Sequence, residues 1–440
     1  MHRIDLLIEP EWLLAIEPDD AVLSGHAVAV DGGAIVAVLP AAQARQRYDA
    51  AEHVRLPGHA LLPGLVNSHV HNPMTLMRGI ADDLPLMVWL KEHIWPAEAR
   101  VLGPQFVRDG VELAIAEMLL GGTTCCSEHY FFPDAIADTY RKHGFRAMVG
   151  LPVIDFATPW AANPDQYFDK ALTVHADLAG EPLLSTCFVP HAPYTVNDDS
   201  MRRLRELSEK LDLRVHMHVH ETAQEVDESL QQYGQRPLAR LQALGLVNER
   251  LLAVHMTQLT SAEIELCASN KVTVIHCPES NLKLASGFCP VAQLQQAGVQ
   301  LTLGTDGAAS NNDLDMIGEM RSAGLLAKAV SGNPAAMPAR QVLRMATLQG
   351  ARALGMDGAI GSIEPGKRAD LIAVDLSGVS TQPVYDPVSQ LVYAASRDHV
   401  RQVWLDGRRR VRDGELVDMD VQDILERART WHGRISAPAA

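Results

Sequence analysis

Several things are scarce in this sequence. Its 440 residues include six cysteines, Cys125, Cys126, Cys187, Cys267, Cys277 and Cys289, with no CxxC spacing. That excludes a disulfide scaffold and a thiolate zinc site, and fits a reducing, cytoplasmic setting. Aromatic residues are 5% of the chain, beside 47% hydrophobic and 21% charged, a balance of globular domains rather than of disordered or fibrous chains. Positive charge is short too: 38 Lys and Arg face 54 Asp and Glu, a net charge of −16. Such a field repels phosphate backbones and anionic lipid, so no nucleic acid and no membrane partner is expected. No apolar run approaches the roughly 18 residues of a membrane span. The opening segment, interrupted by Glu9, Glu11 and Glu17, does not read as a signal peptide.

What the chain does have is histidine, 18 residues of it, and the pattern of elements decides whether these are organised. Near the N-terminus, Ile4 to Ile8, Ala27 to Val30 and Ala34 to Val38 are strand-like, with Asp31-Gly32-Gly33 as a hairpin turn. The C-terminal part is similar: Gly361 to Lys367 leads into Asp370 to Val374, and Val400 to Leu405 turns through Asp406-Gly407 into Arg408 to Val411. Between them, short buried-type strands alternate with helical stretches, the signature of βα units. Eight strands are predicted: Gly64 to His69, Thr123 to Ser127, Arg146 to Leu151, Leu184 to Val189, Arg214 to Val219, Leu251 to His255, Val272 to His276 and Gln300 to Thr305. Helices are predicted over Asp199 to Leu211, capped by Asp199, and Ser261 to Ser269, capped by Thr260 or Ser261. The expected class is α/β: a (β/α)8 TIM-like barrel over 59–357, with a small β-sandwich domain from 1–58 and 358–425. The tail from Arg434 to Ala440 is expected to fray.

The histidines gather where a barrel does its chemistry. The first strand ends in His69-Val70-His71, and residues two apart share a strand face, so both rings can reach one metal ion. The fifth strand runs into His216-Met217-His218-Val219-His220-Glu221, the sixth ends at His255, and the eighth at Gly304-Thr305-Asp306-Gly307. Structural histidines have no reason to fall at the tips of four separate strands; a metal site assembled from distant segments requires it. By period two, His216, His218 and His220 all share one face, so spacing alone leaves the fifth-strand ligand open.

With these residues in place the chain resembles the amidohydrolase superfamily, in its cytosine deaminase-like branch, and within it the 5-methylthioadenosine/S-adenosylhomocysteine deaminase family. The resemblance also rests on Pro73 to Gly79, Pro190-His191-Ala192-Pro193-Tyr194 and Ser280-Asn281-Leu282-Lys283-Leu284, and covers nearly the whole chain. It implies His69, His71, His218 and Asp306 as ligands of one divalent metal ion, Zn²⁺ by base rate, with Fe²⁺ equally suited by ligand type. The family's His-x-x-Glu pattern selects His218, three residues before Glu221. Binuclear relatives carry a lysine at the end of the fourth strand, where this chain has Phe188-Val189-Pro190-His191.

The implied activity is hydrolytic deamination of an adenosine analogue, 5′-methylthioadenosine first and then S-adenosylhomocysteine or adenosine, by attack of a metal-activated water on C6. Glu221 would shuttle a proton to the ring nitrogen, Asp306 would carry the water's proton to the leaving amine, and His255 would hydrogen-bond the attacking oxygen. Glu98 and His191 match the family's substrate contacts, Glu98 with the ribose hydroxyls. The stretch Leu84 to Leu90 reads either as a thioether pocket or as the buried face of a barrel helix. Some relatives place an arginine at the end of the third strand to meet the homocysteine carboxylate; here that region is Val149 to Ile154, which implies a preference for methylthioadenosine. The competing readings are another aromatic-ring deaminase or chlorotriazine-type hydrolase, and a non-catalytic assembly protein, which would lose metal ligands. Asp82-Asp83 reads as solvated, the cysteines as buried hydrophobes, and a homodimer is the expected assembly.

Overall fold

The computed structural model describes residues 1–18 and 20–436. Eight parallel strands follow one another in sequence order: β1 (Leu65–Val70), β2 (Thr123–Glu128), β3 (Arg146–Val153), β4 (Leu184–Pro190), β5 (Val215–Val219), β6 (Leu251–His255), β7 (Thr273–His276) and β8 (Gln300–Leu303). Each predicted strand is present, shifted at its ends by a few residues. Apart from Ser185 and Thr186 of β4 and Gln300 of β8, the strands are buried on both faces, so their polar residues, such as the histidines of β5, are buried along with the apolar ones.

Among the described residues no ladder pairs β8 with β1; the barrel is completed there by a few hydrogen bonds. Ser68 and Thr302 hydroxyls pair at 2.7 Å, Asn67 Nδ2 donates to Thr305 Oγ1 at 2.8 Å, and the Asp306 amide donates to the His69 carbonyl at 3.0 Å. Gly304 makes this approach feasible: a Cβ there would lie 2.8 Å from both the His69 backbone nitrogen and its Cβ. The seam that closes the barrel is therefore also what brings the first and last candidate ligands together.

The remaining strands form one mixed sheet built from both ends of the chain. His2–Leu14 pairs antiparallel with His26–Asp31 and parallel with Tyr48–Pro63, which in turn pairs antiparallel with Leu371–Asp375, as at Leu61↔Ala373. Val400–Leu405, Arg408–Arg412 and Glu415–Leu416 extend it on one side, Ala34–Pro40 on the other. Both predicted hairpin turns are present. Gly32 and Gly33, like Asp406 and Gly407, are left-handed, as a two-residue primed turn requires.

Two local readings change and one is narrowed. The helix Asp198–Leu211 starts one residue early, because Asn197, not Asp199, caps it by accepting from Ser200 N at 2.9 Å. Thr260 does cap Ser261–Ser269, in a reciprocal box with Glu263. The C-terminal segment forms a helix, Val421–Ser436, docked on the barrel helix Pro104–Leu120 through Trp431 Nε1, which donates to Asp109 Oδ2 at 2.8 Å. Arg434 thus lies in a helix; residues 437–440 are outside the described residues. No helix among the described residues is long and apolar enough to cross a membrane.

Candidate active site

At the C-terminal ends of the barrel strands, one ligand atom from each of His69, His71, His218 and Asp306 comes within 4.8 Å of all the others. His69 Nε2 and His71 Nε2 each lie 3.2 Å from Asp306 Oδ1, and His218 Nε2 lies 3.1 and 3.3 Å from the same two nitrogens. Ligands bound to zinc at about 2.0–2.1 Å, spaced between a right angle and a tetrahedral one, stand roughly 2.9–3.4 Å apart. The donor set and its spacing fit a single cation.

Proton positions say the same. The Nδ1 atoms of His71 and His218 point at the carbonyls of His129 and His191, the second at 2.7 Å. Carbonyls only accept, so both protons sit on Nδ1 and both Nε2 lone pairs face the centre. His69 Nδ1 lies 2.9 Å from His216 Nε2, whose own Nδ1 is 3.0 Å from Ser127 Oγ. Asp306 is gripped from behind: Oδ2 accepts from Ser280 and Ser310 at 2.7 and 2.8 Å, and Oδ1 from Gly307 N at 2.8 Å. Burial pushes His218 well below the ordinary imidazole range and His69 down to about 4, which keeps both neutral as ligands must be. Burial also works against His71, yet hydrogen bonding to Asp306 overrides it and raises its pKa. Burial would raise Asp306, but its bonds to His69 and His71 hold it well below the usual carboxylate range. This is a cluster that attracts positive charge.

A backbone dihedral separates the three histidines of the fifth strand. His216 lies behind His69 and His218 joins the cluster, but His220 has φ 53° and leaves the shared face. Its Nε2 accepts from Leu238 N at 3.0 Å, in the surrounding helix layer. Asp306 (φ 66°) and His255 (φ 71°) are left-handed as well. Such residues cost on the order of 1–3 kcal/mol each and persist where surrounding structure imposes them.

A cleft of about 310 Å³ opens above the cluster and contains every other predicted site residue: Glu98, His191, Glu221 and His255. Glu221 is buried, and burial together with the nearby Asp306 charge pushes its carboxyl up to about 8. Its backbone is held by Glu225, whose carboxylate accepts from the His220 and Glu221 amides at 3.0 and 2.7 Å. His255 Nε2 stands 3.8 Å from Glu221 Oε2. Burial lowers His191 to about 3, so it too is neutral. Half-buried Glu98 accepts from the Tyr130 hydroxyl, and its apolar surroundings push it up to about 7.

The apolar stretch before Glu98 lines the cleft with Leu86, Trp89 and Leu90, carried on a short helix, Leu86–Val88, and a π-helical turn, Trp89–Ile94. Trp95, Ile154 and Phe156 complete that wall, and among the described residues no Lys or Arg lines the cleft. Sequence reasoning passed over His129, Tyr130, Ser280, Asn281 and Ser310. Only the typical segment Ser280 to Leu284 and the run after Asp306 hinted at three of them. Asp82, read as solvated, is paired with Lys283 at 2.7 Å, and all six cysteines are free and buried.

A model of the amidohydrolase family matches residues 60–410. A 5-methylthioadenosine/S-adenosylhomocysteine deaminase of Teredinibacter turnerae is 45% identical over 434 residues, 99% of this chain and 98% of that one. The crystal structure of an adenosine deaminase from Xanthomonas campestris with bound zinc superposes with a TM-score of 0.97 at 60% identity, covering 99% of each chain. Atrazine chlorohydrolase of Arthrobacter aurescens, complexed with zinc, shares the fold with a TM-score of 0.89 at 24% identity, over 97% of this chain and 99% of that one.

Proposed function

We propose, starting from the fact that the chain belongs to the amidohydrolase family, that it is a metal-dependent deaminase of adenosine analogues, releasing ammonia from C6 of the purine. The observation that carries this reading is the convergence of three imidazole nitrogens and one carboxylate oxygen under a cleft that also holds a buried carboxyl group, Glu221. His69, His71, His218 and Asp306 hold one divalent ion, Zn²⁺ with Fe²⁺ as the alternative. When bound there, such an ion lowers the pKa of water toward neutrality and so supplies the nucleophile.

The residues of the chain then do the rest. Glu221, whose burial favours the protonated carboxyl, donates to the ring nitrogen beside C6 and makes that carbon electrophilic. His255 forms a hydrogen bond with the attacking water and orients it. Asp306 takes the proton released by the water and delivers it to the amine, which leaves as ammonia. His191 contacts the base, and Glu98 accepts from the two ribose hydroxyls.

The 5′ arm of the substrate is apolar in this reading. The cleft offers it Trp89, Trp95, Ile154 and Phe156 and no cation for a homocysteine carboxylate, so methylthioadenosine is preferred over S-adenosylhomocysteine. The test is a panel of adenosine analogues followed by the ultraviolet change from amino to oxo purine. No turnover of any 6-aminopurine nucleoside refutes the deaminase reading; comparable kcat/KM on both thioethers refutes only the preference. We assign the enzyme to the cytoplasm, in keeping with its free cysteines, and to a homodimer that acts without nucleic acid. Light scattering on the purified protein checks the assembly.

A further inference from the structure

The short helix Pro278–Lys283, which follows β7, carries a motif that no step above has used. Ser280 reaches Asp306, and the next residue, Asn281, reaches His255: Asn281 Oδ1 lies 2.8 Å from His255 Nδ1. Both groups are out of solvent, Asn281 at 3% and His255 at 1% exposure. The Asn281 side-chain amide nitrogen is buried without a partner. A buried donor left unpaired is a cost that calls for an explanation. His255 itself is held in a left-handed backbone at the tip of β6, and its ring lies with Nδ1 toward Asn281 and Nε2 toward Glu221.

We propose that Asn281 is a positioning residue that fixes the proton of His255 on Nδ1, so that the Nε2 lone pair faces the cleft and accepts from the attacking water. A neutral imidazole has one donor and one acceptor nitrogen, and a carbonyl oxygen at Nδ1 decides which is which. The proposal rests on the deaminase reading for what Nε2 meets, and on geometry alone for the tautomer. The first hydrogen bond to the nucleophile is then one His255 accepts, which orients the water while its proton passes to Asp306.

The experiment uses the zinc-loaded full chain with ¹⁵N-labelled histidine, as the native protein and as Asn281→Leu and Asn281→Asp. The native spectrum is expected to show His255 protonated at Nδ1. Asn281→Leu, close in volume but unable to accept, should lose about 100-fold in kcat with KM within about threefold, and Asn281→Asp, which can accept, should recover most of it. A native His255 protonated at Nε2 overturns the proposal, as does native kcat in folded, zinc-replete Asn281→Leu, or failure of folded, zinc-replete Asn281→Asp to exceed it. Should neither variant fold, the native tautomer decides. Because that readout needs no substrate, failure of the deaminase reading on the nucleoside panel is a separate result.

Discussion

Replacing Gly304 by alanine tests whether barrel closure sets the geometry of the metal cluster. The new Cβ would stand 2.8 Å from the His69 backbone nitrogen and Cβ, against an ordinary contact of 3.4 Å or more. Relief therefore needs about 0.6 Å of movement, and the yielding atoms are backbone on both sides of the β8–β1 seam. Catalytic constellations tolerate only about 0.5 Å of displacement. His69 cannot slip independently, because its carbonyl holds the Asp306 amide and its Nδ1 is tied to His216. The expected outcome is a stability loss of about 1–3 kcal/mol and a fall in kcat/KM on the order of 10- to 100-fold. Thermal denaturation, zinc stoichiometry by atomic emission and steady-state deamination would be measured on the same preparation. Unchanged kcat/KM with full zinc occupancy would refute the argument that the seam positions the ligand.

Other expectations follow from the same geometry. His218→Ala should abolish zinc binding and turnover, whereas His220→Ala should keep zinc and lose about 1–3 kcal/mol of stability, since it leaves the buried Leu238 amide unpaired; zinc loss in His220→Ala alone would reverse the assignment. Because Glu98 is pushed up to about 7 and accepts as the carboxylate, kcat/KM for nucleosides should rise as pH passes upward through about 7. That limb should vanish in Glu98→Gln, which should also hurt nucleosides far more than free bases. Trp431→Ala should cost about 3–5 kcal/mol in urea denaturation with kcat on the folded enzyme unchanged, because its contacts are with Phe106 and Asp109 away from the cleft. Chelation should remove activity, and titrating Zn²⁺ or Fe²⁺ back should restore it in a one-to-one ratio.

The sequence by itself determined what depends on short-range pattern. Period and punctuation reveal eight buried strands, and metal-type side chains at the tips of β1, β5, β6 and β8 reveal a site, because ligand direction on a strand follows from spacing of two. Both hairpin turns were legible for the same reason: their glycines sit beside the strands they reverse. Tertiary structure decided what depends on residues far apart in the chain. The left-handed backbone at His220 takes that ring off a face that periodicity assigned to it. The carbonyls of His129 and His191, which fix the protons of His71 and His218, come from other strands, and backbone acceptors leave no mark in a sequence. Ser280 and Asn281 meet Asp306 and His255 only once β6, β7 and β8 lie side by side. The C-terminal helix was not read from the sequence, and the Asp109 that anchors it lies 322 residues away. Which residues could bind a metal was a local property; how their protons, carboxylate and backs are held was set by closure of the barrel.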